Sequence, residues 1–261
     1  MLDYASGPVA SSYAVGDIVP WHFVPGIVVA SFFASLVGTF LCVEVLHRKR
    51  LGKHFVARLQ LLSCAIAMGL IGIWCMHFIG NRSIILGNGD ESLQMEYSPG
   101  YTFLSCVLPV VGLSFAFYIA EMRIKNTIIR RFCDVLTGFL AGLSIVGMHY
   151  VGNLGAMNYE LIYPARFIVA SCAIAIGDSI IALMLFFYFK EQWISVFWKR
   201  LLCAMLLSVA VCGMHYTAAI GCTYRLKELV ESRGNRNTAV IVAGILVRLA
   251  HLYVQFFADL P

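Results

Sequence analysis

Long apolar runs recur along the whole chain, and they restrict it to one kind of fold. A bilayer core of about 30 Å needs roughly 20 apolar residues per helical crossing, and the 261 residues are 60% hydrophobic and only 13% charged. Because backbone polar groups inside lipid must be satisfied within the segment, such runs cross as helices. The sequence therefore predicts an all-α, polytopic membrane protein with seven transmembrane helices, near residues 23–46, 55–79, 101–120, 132–154, 164–189, 196–221 and 238–257.

The basic residues of the loops predict how the chain is oriented in the membrane. Lys and Arg are retained on the cytoplasmic side, and most of them fall inside if the N-terminus is outside, although the basic loop from Arg225 to Arg236 argues against this orientation. We expect an outer N-terminal segment, residues 1–22, and a membrane domain, residues 23–258, in a multi-pass protein of the plasma membrane. Since the basic residues are scattered over short loops, the expected partner is the lipid bilayer and not a nucleic acid.

Three of the predicted helices end on the same short phrase, in which methionine and histidine are adjacent. The copies are Met76-His77-Phe78, Met148-His149-Tyr150 and Met214-His215-Tyr216. A basic residue opens each of these helices, which places the three histidines near the opposite, outer face. Successive copies are separated by the length of two membrane helices. The chain is thus predicted to consist of three two-helix repeats plus one final helix.

The residue types in the phrase favour copper as the bound metal. Thioether sulfur is a soft ligand and imidazole a borderline one, so a set of Met and His side chains suits Cu(I) better than Zn²⁺, Mg²⁺ or Ca²⁺. Neighbouring residues on a regular helix project about 100° apart, so one copy cannot easily chelate a metal alone and the three helix ends would have to converge. The candidate ligands are Met76, His77, Met148, His149, Met214 and His215, with Cys75 and Cys212 as spare soft donors.

A structural role is the alternative for each of these groups. A histidine in a membrane helix can bond a neighbouring carbonyl and hold a bundle together, and methionine and cysteine pack as buried apolar side chains. Phe78, Tyr150 and Tyr216 are predicted to be anchors at the membrane interface, where aromatic residues collect. Gly80 and Gly152, which follow a histidine closely, are predicted to end their helices.

The repeated Met-His-Tyr phrase at the ends of alternate spans resembles the MHYT domain, a seven-helix membrane domain named after that tetrapeptide. The phrase at residues 72–81 and Trp198-Lys199-Arg200 look most like the fungal branch. The resemblance implies an integral membrane sensor that binds copper through these residues at the outer face. It also implies a diatomic gas ligand (oxygen, carbon monoxide or nitric oxide) and a cytoplasmic signalling partner. The first copy departs from the pattern with Phe78, and only the third has Thr217.

An acidic residue inside a predicted span supports a different class of function. Asp178 lies near the centre of the fifth span, where a charged side chain costs roughly 2.5–3.5 kcal/mol, so it should have a partner or be protonated. A membrane transporter or redox carrier of an ion, proton or metal, using Asp178 and the motif residues, is therefore the alternative to a sensor. A structural hydrogen bond is the simpler interpretation of Asp178. The sequence contains no nucleophile paired with a base, phosphate loop or dinucleotide fingerprint, so an enzyme is not predicted.

Overall fold

Six apolar helices form the body of the protein. The computed structural model describes residues 13–47, 54–122, 124–189, 196–229 and residue 244. Within these ranges, six helices are long and apolar enough to cross a membrane: Pro25–His47, Val56–Arg82, Pro99–Ala120, Thr127–Leu154, Ala165–Phe187 and Phe197–Gly221. The first six predicted helices are confirmed. The seventh, residues 238–257, lies outside the described residues except for residue 244, so the arrangement as three repeats plus a final helix stays a prediction.

The described elements are seven α-helical stretches, one π-helical segment, one 3₁₀ turn and four short strands. The second span is built from three consecutive stretches, and a 3₁₀ turn, Glu91–Leu93, lies in the loop that follows it. In chain order the elements are β1 (Trp21–Phe23), α1 (Pro25–His47), α2 (His54–Ile66), a π-helical segment (Ala67–Cys75), α3 (Met76–Arg82), β2 (Ile84–Leu86), α4 (Pro99–Ala120), α5 (Thr127–Leu154), β3 (Tyr159–Ile162), α6 (Ala165–Phe189), α7 (Phe197–Gly221) and β4 (Thr223–Leu226).

The fourth span begins earlier than its hydropathy predicts. The side-chain oxygen of Asn126 accepts hydrogen bonds from the amides of Ile128 and Ile129 at 2.9 and 3.2 Å. Such a cap satisfies backbone donors that have no partner within the helix. The helix therefore starts at Thr127, and its first turns carry charged residues that an apolar window leaves out.

The six spans form a closed ring in chain order. Each span packs against the next, and α1 closes the ring against α7. The spans that end in α3, α5 and α7 also contact one another across the interior, and they are the more buried members of the ring. The ring thus directs the three histidine-bearing helices toward a common centre.

The second span is the only described one with a π-helical segment. Its nine residues, Ala67–Cys75, lie directly before Met76. A Cβ added to Gly38 of α1 would lie 2.1 Å from the amide nitrogen of Gly72 in this segment. The backbones of the two helices are therefore in direct contact, which only glycine permits.

Four strands cover the histidine-bearing end of the bundle, so the all-α prediction is wrong in this detail. β1 pairs with β2 and β3 with β4, both antiparallel, and single bridges join Ile18 to Arg225 and Tyr97 to Ala156. Strands of three or four residues are too short to show a period-two pattern, which is why the sequence did not predict them. We call residues 13–24, 83–98, 155–164 and 222–229 the cap.

The cap has an apolar core of its own. Its buried members include Val19, Leu86, Tyr159, Cys222 and Leu226. The described part of the predicted N-terminal segment, residues 13–22, belongs to this layer, because the Gly16 and Val19 amides donate to carbonyls of the β4 strand. The cap therefore separates the ends of the helices from solvent.

Ion pairs lie at the opposite end of the bundle. Arg200 of α7 pairs with Glu44 of α1, and both side chains are largely buried. Asp134 of α5 lies 3.2 Å from Arg130 and 3.9 Å from Arg131. Arg131 and Arg200, two of the basic residues at the starts of the motif-bearing helices, therefore form ion pairs with acidic residues of the bundle.

Candidate metal centre

Three histidine side chains meet beneath the cap. His77 lies in α3, His149 in α5 and His215 in α7, and each is at most 1% exposed. Their ring centroids are 5.0, 5.1 and 5.2 Å apart in edge-to-face arrangements. We call these residues the histidine cluster. Among the described His, Cys, Asp and Glu side chains, they form the single group of three whose possible ligand atoms all lie within 4.8 Å of one another.

The spacing of the ring nitrogens fits a shared metal ion. His215 Nδ1 lies 3.3 Å from His77 Nδ1 and 3.3 Å from His149 Nδ1. Imidazole nitrogens bound to a metal at about 2.0–2.1 Å in tetrahedral geometry would be about 3.3–3.4 Å apart. Two of the three pairs of facing nitrogens are therefore at the separation expected for ligands of one tetrahedral metal ion.

Hydrogen bonds alone do not satisfy the facing nitrogens well. A neutral imidazole carries one proton on its two nitrogens, and His215 Nδ1 faces two rings at once. If His215 Nδ1 donates its proton, only one partner receives a good hydrogen bond; if it accepts, one lone pair meets two donors. A cation between the rings would engage a lone pair from each of them.

Asn81 holds the far side of the His77 ring. Its amide nitrogen lies 3.1 Å from His77 Nε2 and donates to the Tyr97 hydroxyl at 2.7 Å. Burial raises the pKa of Tyr97, which keeps this hydroxyl neutral. Because the amide contains both a donor and an acceptor, it can pair with either tautomer of the imidazole.

Asn153 repeats the same arrangement at His149. Its amide nitrogen lies 3.2 Å from His149 Nε2 and donates to the Tyr163 hydroxyl at 2.8 Å. Burial also raises the pKa of Tyr163. The two amides are joined to each other, since Asn81 Nδ2 donates to Asn153 Oδ1 at 3.3 Å. A metal-binding histidine donates its other ring N–H to an acceptor, so rings that bound a metal through Nδ1 would need the amide oxygens at Nε2 in place of these nitrogens. The sequence analysis assigned no role to either asparagine.

His215 has no equivalent support. The position one turn after it is Ala219, not asparagine, and His215 Nε2 is a buried polar atom with no hydrogen-bond partner among the described residues. The cluster therefore contains two rings held by amides and one ring held by packing.

Gly80 and Gly152 do not end their helices, contrary to the prediction. α3 continues to Arg82 and α5 to Leu154. A Cβ on Gly80 would lie 2.6 Å from His215 Nε2, and one on Gly152 would lie 3.0 Å from His77 Nε2. The glycines are needed because imidazoles from neighbouring helices occupy the space beside them.

The methionines of the motif lie in the apolar core. Met76, Met148 and Met214 are each at most 1% exposed and belong to the main hydrophobic cluster. All nine cysteines lie in the described part of the chain as free thiols, and neither Cys75 nor Cys212 is part of the histidine cluster. The geometry therefore brings the predicted imidazole ligands together, while the sulfur ligands stay predictions.

The aromatic residue after each histidine packs against the imidazole. The ring centroids of Phe78, Tyr150 and Tyr216 lie 5.0, 5.0 and 4.8 Å from those of the preceding histidines. Tyr150 bonds the Ser171 hydroxyl at 2.9 Å, and Tyr216 bonds that of Ser31 at 2.6 Å. Tyr150 and Tyr216 thus tie their helices to α6 and α1, and their role as interface anchors stays a prediction. Phe78 is buried inside the protein, so it is not an anchor at the membrane interface.

Asp178 lies away from the cluster. It is partly buried in α6, no described side chain forms a hydrogen bond or ion pair with it, and it is not in the compact group of possible ligands. Among the described residues, no contact links Asp178 to the three histidines, so the structure does not support a transport path that uses both.

The fold and this site define a class of protein: a multi-pass helical membrane protein with a buried histidine cluster beneath an extramembranous cap. The family model "MHYT: Bacterial signalling protein N terminal repeat" matches the chain twice, at residues 71–130 and 142–197. The two matched segments include the first and second motif copies, so these parts of the chain are similar to the MHYT signalling repeat.

The relatives of the chain are bacterial signalling proteins. It is 24% identical to the signaling protein YkoW of Bacillus subtilis over 86% of this chain and 27% of that protein. It is 27% identical to MucR of Pseudomonas aeruginosa, a bifunctional diguanylate cyclase/cyclic di-GMP phosphodiesterase, over 89% of this chain and 33% of that protein. An uncharacterized signaling protein of Caulobacter vibrioides is 25% identical over 61% of this chain and 18% of its own length.

The chain thus spans a third or less of these relatives. The predicted fungal-type assignment has no support from them. No solved structure matches the chain.

Proposed function

We propose that this protein is a membrane sensor that binds copper as Cu(I) through His77, His149 and His215 and responds to a diatomic gas such as oxygen, carbon monoxide or nitric oxide. The observation that carries the proposal is the 3.3 Å spacing of the facing ring nitrogens in a fully buried cluster. Met76, Met148 and Met214 remain candidate additional ligands.

The charge environment favours a monovalent cation. Imidazole suits several transition metals, including copper and zinc. However, the cluster includes no carboxylate among the described residues, and the cost of burying an ion rises steeply with its charge. Three neutral imidazoles leave a net charge of one on a Cu(I) site and of two on a Zn²⁺ or Cu²⁺ site. The smaller buried charge supports copper in its reduced state.

The surrounding residues have defined tasks in this proposal. Asn81 and Asn153 contact the Nε2 atoms of two rings, whose Nδ1 atoms face the centre. With copper on Nδ1, each Nε2 would carry the proton and donate it to the amide oxygen of its asparagine. The cap excludes bulk water from the cluster. A copper ion held by three imidazoles would supply a coordination position at which a diatomic gas can bind.

The direction of signalling follows from the predicted topology. With the N-terminus outside, the cap and the histidine cluster lie at the outer face of the plasma membrane, and the end that contains Arg200 and Glu44 lies in the cytoplasm. Two of the relatives are named as signaling proteins. We infer that this chain passes its signal to a cytoplasmic signalling partner.

Metal analysis of the detergent-purified protein tests the proposal. Purified under reducing conditions, the protein should carry about one equivalent of copper, and His77→Ala, His149→Ala and His215→Ala should each lower that content strongly because the site has few ligands. Met76→Leu, Met148→Leu and Met214→Leu should have weaker effects. His22→Ala is the matched control, since His22 is an exposed histidine of β1 in the cap.

Two results would overturn copper binding. One is the absence of copper after both reducing and oxidising preparations. The other is normal copper content in a folded variant that lacks all three clustered histidines, because the histidines would then be structural.

A further inference from the structure

A cleft opens on the cap beside the histidine cluster. Its volume is about 310 Å³, and it lies between the end of α5 and the β3–β4 sheet. Its lining includes the exposed residues Leu154, Glu160 and Lys227, the partly buried Tyr163 and the buried Asn153. The lining therefore runs from exposed charged groups to buried polar ones.

The deep end of the cleft is one side chain away from the cluster. Asn153 lines the cleft, and its amide nitrogen lies 3.2 Å from His149 Nε2. The same nitrogen donates a hydrogen bond to the Tyr163 hydroxyl at 2.8 Å. A turn of the Asn153 side chain would therefore expose the His149 ring to the cleft.

The cluster needs such a passage because the cap covers it. Its three rings are at most 1% exposed, and a metal ion enters or leaves only through a path that shields it from the apolar interior. The cleft offers carboxylate, hydroxyl and amide oxygens in succession. Its lining contains one acid and one base, Glu160 and Lys227, and Glu160 also forms an ion pair with Arg225 at 3.2 Å.

We propose that this cleft is the entry and exit port of the histidine cluster, through which a monovalent soft cation such as Cu(I) passes from the cap surface to His149. The inference rests on the proposed function in that it takes copper as the occupant of the cluster. It adds the route, which the cluster alone does not define.

A port residue and a ligand residue differ in what they change. Blocking a port slows entry and exit by the same factor and leaves the equilibrium affinity unchanged, because affinity is the ratio of the two rates. Removing a ligand lowers the affinity. The two roles are therefore separated by measuring both rates.

The experiment uses a reversible plug. Glu160→Cys places a thiol at the half-exposed mouth, where a bulky methanethiosulfonate reagent can react; native Cys222 should not interfere, because burial raises its pKa to about 12. The detergent-purified protein is loaded with acetonitrile-solvated Cu(I) for timed intervals and quenched with a chromogenic chelator. Release is followed after chelator is added to the loaded protein.

The modified protein should load and release copper about tenfold more slowly than the parent protein, with unchanged affinity. The parent is the reference because a free thiol at position 160 is itself a soft copper donor. Leu154→Trp should act in the same direction, and Leu154→Ala should not slow either rate. The matched control is Val15→Cys with the same reagent, because Val15 is exposed on the cap but does not line the cleft.

Three outcomes overturn the inference. Unchanged rates with complete modification would show that copper takes another route. A change in affinity would show that the mouth contributes to binding and not to passage. If the unmodified protein binds no copper at all, the proposed function fails, and the copper port fails with it.

Discussion

The contact between Gly80 and His215 makes Gly80→Ala an informative substitution. The added Cβ would lie 2.6 Å from His215 Nε2 and 3.0 Å from Cδ2, whereas nonbonded heavy atoms prefer about 3.5–4.0 Å. The His215 ring must therefore move by about 1 Å. No asparagine amide forms a hydrogen bond with the His215 ring, so this is the ring of the cluster that we expect to be displaced.

The size of the effect follows from opposing contributions. Alanine is favoured over glycine in a helix by about 1 kcal/mol, and overpacking a buried site costs roughly 1–3 kcal/mol, so we expect the free energy of unfolding to change little or to fall by up to about 2 kcal/mol. A displaced ligand should weaken copper binding about 10–100-fold, the usual cost of disturbing the support of a metal-binding histidine.

Graded variants provide the controls for this prediction. Gly152→Ala places its Cβ 3.0 Å from His77 Nε2 and should have a smaller effect, whereas Gly177→Ala meets nothing within 4 Å and should leave binding unchanged. Copper affinity is measured by chelator competition, and folding by thermal unfolding in detergent. Equal affinity in Gly80→Ala and Gly177→Ala, with both variants folded, would refute the role of His215 in a shared site.

Three further predictions concern other parts of the molecule. Ser92→Cys should react with an impermeant maleimide from outside intact cells, because the loop after α3 is predicted to be external; labelling only after permeabilisation would reverse the orientation. Asp178→Asn should keep both folding and copper content, since no described side chain depends on Asp178; a folded variant that loses proton flux or ligand response would instead support the transport alternative. Tyr216→Phe should lower the free energy of unfolding by about 0.5–1.5 kcal/mol through loss of the 2.6 Å hydrogen bond to Ser31, and a variant as stable as the parent in thermal unfolding would contradict that cost.

The parts of the site that follow a membrane-helix pattern could be predicted from the sequence. Six apolar runs gave six helices within a few residues, because lipid leaves the backbone no alternative. The three Met-His phrases marked the helix ends that meet. The sequence could not show that the histidine of each phrase joins the cluster while the adjacent methionine packs in the apolar core. That difference depends on which face of each helix points inward.

The supporting residues could not be assigned in the same way. Asn81 and Asn153 follow their histidines by one helical turn, a spacing that places them on the same face, and this was the available signal. Their role depends on Tyr97 and Tyr163, which lie 16 and 10 residues further along the chain, in the cap, where the helical spacing no longer predicts contacts. The roles of Gly80 and Gly152 were predicted wrongly, since a glycine after a histidine fits a helix end as well as a close contact between helices.

The π-helical segment has a mechanical consequence for the second span. A π-helical turn takes more residues than an α-helical turn, so converting Ala67–Cys75 to α-helix would rotate α2 about its axis relative to α3. His77 lies just beyond one end of this segment and is fixed by Asn81, while Arg58 lies in α2 beyond the other end. A rotation of α3 at the histidine cluster would thus rotate α2 at the opposite end of the span. The close contact between Gly38 and Gly72 would be the point about which the two helices turn. The conversion would exchange the i→i+5 hydrogen bonds of the segment for the i→i+4 bonds of an α-helix, and among the described spans only this one contains such a segment.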